Sequence, residues 1–469
     1  MSITSFFGKV KSAAKTIYLS ASPHKLTYKE ERAYWSEANS LSADGFITPE
    51  MRRTWRNRAR LEANCNSYAR GLILTLADMC IGTGARLQLL TENEEYNSQV
   101  EQEFTAWAEA INLGEKLKTL RKAKCVDGEA FAVIAKNPKV KHPVKIDLKI
   151  IESDRVTTPF AKMFQKVDGI HFDDFGNPVS YDVLKEHPGD LTFHLFAKTE
   201  SVPAEYMLHW YRQDRPEQSR GITELLPSLP LFAQLRRYTL AVIEAAETAA
   251  SIAGVVYTKN QDITTANINT EQKKTIDIER NMFNVLPEGW EMNQLKAEQP
   301  TTTYSMFKRE ILSEIGRCLQ MPVNIILGDS SNFNYASGRL DHQTFNKNIR
   351  NEQTQCERVV LFPLLEMWHS EATRIELVEE YKRPQISSQF ARFYWDGLEH
   401  VDPFKEANAM ATRVKSRFTN YLIECARLGY DWEDVFKQAA REQELLKKLG
   451  LQVQSDNNNK KDNEEGEEE

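Results

Sequence analysis

Residues 223–253 read TELLPSLPLFAQLRRYTLAVIEAAETAASIA, and the reading of this stretch decides the fold. Leu225, Leu229, Phe232, Leu235, Thr239, Ile243, Ala246 and Ala250 recur at helical spacing, so one long helix is expected over 223–251. Pro227 and Pro230 fit such a helix only near its start, where the missing N–H costs nothing. The second half is crowded with small residues: Ala241, Ala245, Ala246, Ala249, Ala250, Ser251 and Ala253. Small side chains let helices approach closely, which suits a tightly packed bundle. The plainer reading is an ordinary core helix, but its apolar face is too narrow to organise a large core alone.

Working outward, residues 255–257 read as a strand leaving the helix, and residues 259–300 are polar with few packing side chains. A second helix is expected over 304–319, with Phe307, Ile311, Ile315 and Leu319 on one face and a stop at Met321-Pro322. The following VNIILGDSSNFNYASGRLD is rich in Asn and Ser, and residues 330–337 carry no charge. A third long helix is expected over 344–370, bent by the internal Pro363.

Upstream, Arg52, Arg53, Arg56, Arg58 and Arg60 precede a helical stripe of Leu61, Cys65, Tyr68, Leu72, Ile73, Leu76 and Cys80, closed by Gly82 and Gly84. A phosphate-facing cluster is one reading of the arginines; a solvated or intersubunit face is the simpler one. Residues 120–200 change character. Residues 129–135, 146–151 and 181–184 are short and alternating or apolar, with turn signals at 173–178 and 187–189, so a mainly antiparallel β region is expected. The Asp173/Asp174 pair lacks the spacing of a calcium loop and reads as a hairpin turn. Downstream, Asp402-Pro403 signals a helix start, and Ala407, Met410, Val414, Phe418, Tyr421 and Cys425 continue a stripe to Gly429. Asp431 opens a further helix with Val435, Ala439 and Leu446. The stretch 456–469 holds seven acids and two lysines, and reads as a disordered acidic tail.

The chain of 469 residues exceeds one hydrophobic core, and 41% hydrophobic with 27% charged residues excludes wholesale disorder. A net charge of −7 is unlike a domain that grips nucleic acid through phosphate neutralisation. No apolar run reaches the roughly eighteen residues of a membrane span. The amphipathic N-terminus fits a flexible arm or partner-docking helix better than a membrane-surface segment. Six scattered cysteines and nine scattered histidines show no zinc spacing, which points to free thiols in a reducing compartment. P-loop, zinc-protease, nucleophile-elbow and deaminase patterns are all missing from the sequence, and no catalytic residue stands out.

Several segments, in order, resemble the lambda-type portal proteins of tailed bacteriophages. They are Arg58-Ala-Arg60-Leu61 through Asn64 with Gly82-Thr-Gly84, Asp127-Gly-Glu129, Ile151-Glu-Ser-Asp154-Arg-Val156, Val202-Pro-Ala-Glu205 with His209, and Arg215-Pro-Glu-Gln218-Ser-Arg220-Gly221. Further on come Gly316-Arg-Cys-Leu-Gln-Met-Pro322, Gly328-Asp329, Asn334-Tyr335-Ala-Ser337-Gly-Arg339, Asp402-Pro-Phe-Lys405-Glu406, Gly429-Tyr-Asp431 and Glu442. Where the family often pairs serines after Asn-Tyr, this chain has Ala336-Ser337.

The resemblance implies an α+β portal fold and a homo-oligomeric ring, a dodecamer, at one capsid vertex. Terminase pumps non-sequence-specific dsDNA in through the ring, and head-tail adaptors later attach to it. It implies assembly with major capsid and scaffold proteins in the bacterial host cytoplasm, residence in the virion, no membrane, no cofactor and no catalytic or metal site. On this mapping 1–50 is an N-terminal arm, and a mixed α/β wing covers 51–222 and 344–398, including the kinked helix. The stem helices are 223–251 and 301–321, 252–300 is a small α/β clip, 322–343 carries the tunnel loop, 399–452 is a helical crown, and 453–469 is the tail. The implied channel residues are Ser330, Ser331, Asn332, Asn334, Tyr335, Ser337 and Arg339. Terminase or adaptor docking falls to Lys273, Lys274, Glu279 and Arg280, and subunit packing in the stem to Ala245, Ala249, Phe307 and Ile311. A nuclease-type component of the packaging machine is the competing reading, but it needs clustered carboxylates holding magnesium, and no ordered motif supplies them.

Overall fold

A computed structural model describes residues 40–158, 167–190, 198–250, 254–258, 290–294, 301–331, 335–378, 390–397 and 403–451. The arm before residue 40, the docking residues Lys273, Lys274, Glu279 and Arg280, the loop residues Asn332 and Asn334, Asp402 and the acidic tail lie outside these.

The fold is α+β, with all strand pairs antiparallel among the described residues. After a single turn of helix α1 (Ala43–Phe46) come α2 (Pro49–Cys65) and α3 (Ser67–Ile81). The sequence pattern predicts one continuous stripe here, yet the helix breaks at Asn66. Its side-chain oxygen accepts from the backbone N–H groups of Tyr68 (3.0 Å) and Ala69 (3.4 Å), the work of an N-cap. The break changes which face is buried. Leu61 and Cys65 are exposed, and α2 instead buries Arg52, Arg56, Ala59 and Glu62. The reading of these arginines as a solvated face is therefore corrected for Arg52 and Arg56, while Arg53 and Arg58 are exposed. Periodicity counts only apolar residues and cannot see an arginine stem lying along a core. Within α3 the expected residues Leu72, Ile73, Leu76 and Cys80 are buried, and Gly82 ends the helix at φ +56°.

Strand β1 (Arg86–Leu89) is followed by α4 (Glu94–Ala110), capped by Asn93, and α5 (Leu113–Asp127). The β region then contains β2 (Glu129–Lys136), β3 (Ile146–Ile151), β4 (Ile170–Phe172), β5 (Pro178–Leu184), β6 (Thr199–Pro203) and β7 (Met207–Tyr211). These make two three-stranded sheets, β3-β2-β7 and β4-β5-β6. At the β4–β5 turn, Asp173 Oδ1 accepts from the backbone N–H of Phe175 (2.9 Å) and Asn177 (2.7 Å), so its carboxylate is spent on the hairpin.

The quoted stretch forms α6 (Leu229–Ala250), leading to β8 (Gly254–Thr258), which pairs with β9 (Trp290–Gln294). Helix α7 (Thr301–Arg317) and short α8 (Val323–Leu327) follow. Helix α9 (Tyr335–Cys356) starts nine residues before the position expected from its apolar pattern, because its first nine residues carry no apolar stripe. It passes through a π-helical turn (Glu357–Leu361) into α10 (Phe362–Arg374), with Pro363 in the first turn of the latter. The proline, which has no N–H to donate, thus stands where the α-helical hydrogen-bond ladder is already interrupted.

Strand β10 (Ala391–Tyr394) pairs with β1, and the chain ends in α11 (Pro403–Lys415), α12 (Tyr421–Arg427) and α13 (Trp432–Lys448). The stripe expected to run on to Cys425 is broken by Arg417 at φ +59° and by Asn420, which caps α12. Asp431 caps α13 as expected, accepting from Glu433 N (2.7 Å) and Asp434 N (3.3 Å). No helix among the described residues is long and apolar enough to cross a membrane.

The chain divides into two compact units. One comprises Glu50–Ile73 and Ile222–Phe345; the other comprises Met1–Pro49, Leu74–Gly221 and Asn346–Glu469. The larger unit has two cores. Phe131, Ile151, Val156, Ile170, Tyr181, Val183 and Met207 fill the space between its sheets. Phe104, Trp107 and Trp368 pack together elsewhere, with Phe104 edge-on to Trp368 at 5.2 Å. Trp107 Nε1 donates to the Ile146 carbonyl at 2.9 Å, so the buried indole leaves no donor unpaired. In the smaller unit Leu225, Leu229, Phe232, Leu235, Leu312, Ile315, Leu319 and Ile326 are buried.

Candidate nucleic-acid interface and packing surfaces

In the smaller unit α6 and α7 lie side by side. Tyr238 meets Phe307 edge-to-face at 4.6 Å, and the Tyr304 hydroxyl donates to Thr239 Oγ1 at 3.3 Å. Lys308 Nζ stands 5.0 Å above the Tyr68 ring. Arg236 Nη1 donates to Glu62 Oε2 at 2.9 Å, tying α6 to α2. The buried face of α6 stops at Leu235. Beyond it Leu240, Ala241, Ile243 and Ala245 are exposed, as are Met306 and Phe307 on α7. Ile311, expected at subunit packing, is half-buried, while Leu312, Ile315 and Leu319 are buried. Ala249 lies on α6, and its side chain is outside the described set.

Helix α8 crosses close to the end of α7 because Gly316 leaves room: a β-carbon there would lie 1.8 Å from Ile326 Cδ1. Gly328, at φ +64°, closes α8. Asp329 Oδ1 then accepts from Ser331 N at 2.9 Å, and the bonding from Ser331 holds the Asp329 carboxyl below its usual range. Ser330 and Ser331 are exposed in this turn. Tyr335, Ser337 and Arg339 stand on the first turns of α9 rather than in a loop, and Arg339 is exposed. Asn324 Nδ2 and His342 Nε2, 3.0 Å apart, link α8 to α9, and Phe345 anchors the helix in the core. Residues 328–331, with Asp329 their one charge, thus lead out of α8, and α9 is tied back to α8 through His342.

In the larger unit, residues from motifs far apart in sequence meet at one buried node. Arg220 donates to both oxygens of Glu129, to the Val156 carbonyl (3.1 Å) and to the Asp168 carbonyl (2.5 Å). Ser153 Oγ donates to the Glu129 carbonyl at 3.0 Å, and His209 Nε2 lies 3.2 Å from Glu129 Oε2. Gln218 Oε1 accepts from Asp214 N and Arg215 N, and its Nε2 donates to the Arg220 carbonyl. Each of these bonds ends on a protein oxygen, as in a structural scaffold. The sequence alone cannot show that these motifs converge; their recurrence in fixed order was the only signal.

Glu152, Asp154 and His187 are the one group of three among the described residues whose ligating atoms approach closely enough to hold a metal ion. His187 Nε2 lies 2.8 Å from Glu152 Oε2 and 3.7 Å from Asp154 Oδ2.

The profile of phage portal proteins of the lambda family matches residues 29–353. A probable portal protein of Halomonas phage phiHAP-1 is 23% identical over 454 residues, spanning 89% of this chain and 85% of its own. Among solved structures, a chain from the neck of an empty gene transfer agent particle aligns over 80% of this chain and 95% of its own. The TM-score is 0.45 at 14% identity. A chain from the neck of the native particle, computed with C12 symmetry, gives 0.44 at 13% identity, over 80% and 94% of the two chains. The chain belongs to the lambda family of phage portal proteins.

Proposed function

We propose that this portal protein assembles into a dodecameric ring through which double-stranded DNA is packaged by terminase and later released. In this reading the larger unit supplies wing and crown, and α6 with α7 forms the stem. Residues 252–300 meet the terminase large subunit and then the head-tail adaptors, and the α8–α9 turn faces the channel. Capsid and scaffold proteins surround the ring, which takes no cofactor and carries out no chemistry of its own. The ring is built in the host cytoplasm and resides in the virion.

The observation that carries this reading is the distal half of α6. Leu240, Ala241, Ile243 and Ala245 lie exposed on a helix otherwise committed to a core, beside exposed Met306 and Phe307. Small and apolar residues together are what a helix presents when identical neighbours pack closely around a ring. The uncharged stretch 330–337 supports the channel role, since hydroxyls and amides bond to phosphate without the counterion release that makes binding tight. The test is packaging by rings carrying Asn332→Lys and Asn334→Lys. Rings still form, translocation stalls at low salt, and the defect eases as screening rises. A packaging rate unchanged at every salt concentration overturns the channel assignment.

A further inference from the structure

The larger unit contains a cavity of about 320 Å³ where α9, β10 and α12 meet. Arg350, Arg392 and Arg427, one from each element, stand on its rim, and Trp395, Phe393 and Leu422 line its wall. Arg427 Nη1 is shared with Glu424 at 3.1 Å. Arg350 and Arg392 have no carboxylate partner among the described residues, and both are exposed. Asp396, the acid on the wall, is already engaged: it accepts from Thr83 N (2.5 Å) and Thr83 Oγ1 (2.7 Å). The site therefore offers two uncommitted guanidinium forks above an apolar floor. Guanidinium matches carboxylate geometry in a bidentate way, and the floor favours a peptide over a free ion. A 320 Å³ space is about 7 Å on a side, too narrow for a duplex whose major groove alone is about 12 Å wide.

We propose that the acidic segment 456–469 of the same chain is the occupant, seating carboxylates of its terminal glutamates against Arg350 and Arg392. Charge is the first argument: the segment holds seven acids against two lysines. Reach is the second. Helix α13 is 17 residues long, so its ends are about 26 Å apart. Its cap, Asp431, accepts from Gln88 Nε2 at 3.0 Å, and Gln88 lines the cavity. The chain leaving α13 must therefore return about 26 Å. From Leu451 to Glu464 the contour is about 43 Å, at roughly 3.3 Å for each of 13 residues, and Glu469 extends it further. Tethering keeps the segment at an effective concentration in the millimolar range, so even a weak pair of contacts is populated.

The test uses the full chain carrying Ile423→Cys on the cavity wall and Glu467→Cys in the segment, treated with a short bismaleimide. Cross-linked peptides are mapped by mass spectrometry, which separates them from products of the native thiols. The expected result is an intrachain link between positions 423 and 467. Its yield falls at least fivefold with Arg350→Glu and Arg392→Glu, and again in 0.5 M salt, where the Debye length shortens to about 4 Å. The control Arg58→Glu leaves the yield unchanged. A link that forms equally well after the charge reversals, only between chains, or not at all, overturns the proposal.

Discussion

Arg220 clasps Glu129 through two hydrogen bonds, Nη2 to Oε1 at 2.6 Å and Nε to Oε2 at 2.9 Å, with both side chains withdrawn from water. Burial alone raises the Glu129 pKa, but Arg220 and His209 outweigh it and hold the carboxyl well below its usual range. The pair joins β2 to the chain just before α6, which lies far from it in sequence. Breaking one side leaves a buried charge uncompensated.

Arg220→Ala and Glu129→Gln each lose about 3–5 kcal/mol in urea unfolding, while the joint Arg220→Met, Glu129→Leu change loses less than either. Because the folded pKa of Glu129 is depressed, its contribution is full above the unfolded value near 4.3. It is lost as the pH falls toward the folded value. Wild-type stability therefore drops below about pH 4.5, and Glu129→Gln flattens that limb.

Glu101 titrates in the opposite sense. Burial, joined by the charges of Asp431, Glu433 and Asp434, raises its pKa to about 7, against the hydrogen bond from Leu89 N (2.6 Å). The folded state binds the proton more tightly, so stability falls as the pH rises from about 4.5 to 7. Glu101→Gln keeps the acceptor for Leu89 and removes that fall. Above pH 7 it gains about 1–2 kcal/mol in thermal or urea unfolding after allowance for solvent screening.

Gly221→Ala tests the close approach beside this clasp. A β-carbon at Gly221 would lie 2.1 Å from the Gly128 carbonyl oxygen, a backbone atom that no rotamer change can move. The expected loss is about 3 kcal/mol or more, read as a lowered urea midpoint or as loss of soluble protein. Gly176→Ala, with open space around its β-carbon but φ +83°, costs only about 1 kcal/mol.

Ala245→Leu with Ala249→Leu separates assembly from folding. Ala245 is exposed in the single chain, so added volume there meets no core. Circular dichroism and the urea midpoint stay within about 0.5 kcal/mol of wild type, while ring yield on size exclusion falls. Rings formed at the wild-type yield remove α6 from the subunit interface.

What could be read locally was read from periodicity. The strands at 129–136 and 146–151, the stop at Gly82 and the cap at Asp431 each declare themselves within a few residues, whereas the helix expected from 223 begins at Leu229, after a 3₁₀ turn at Leu226–Ser228. The start of α9 did not, since Tyr335-Ala-Ser-Gly-Arg339 shows no apolar stripe. The helix there is held by partners outside it, His342 to Asn324 and Phe345 in the core. The break at Asn66 likewise depends on a side chain choosing to cap rather than to continue.

The sequence by itself determined the family, through motifs in fixed order, and the long helices with strands β2, β3, β5 and β8, through periodicity and caps written along the chain; β1, β7 and β10 are placed by partners far away in sequence. Only the tertiary structure decided that Glu129, Ser153, His209, Gln218 and Arg220 form one buried scaffold node. It alone decided that Arg52 and Arg56 are buried and that Arg350, Arg392 and Arg427 surround one cavity. The physical reason is the range of the interactions. Period and capping are written along the chain, whereas the worth of a charge depends on what the fold sets beside it and how much water it leaves there.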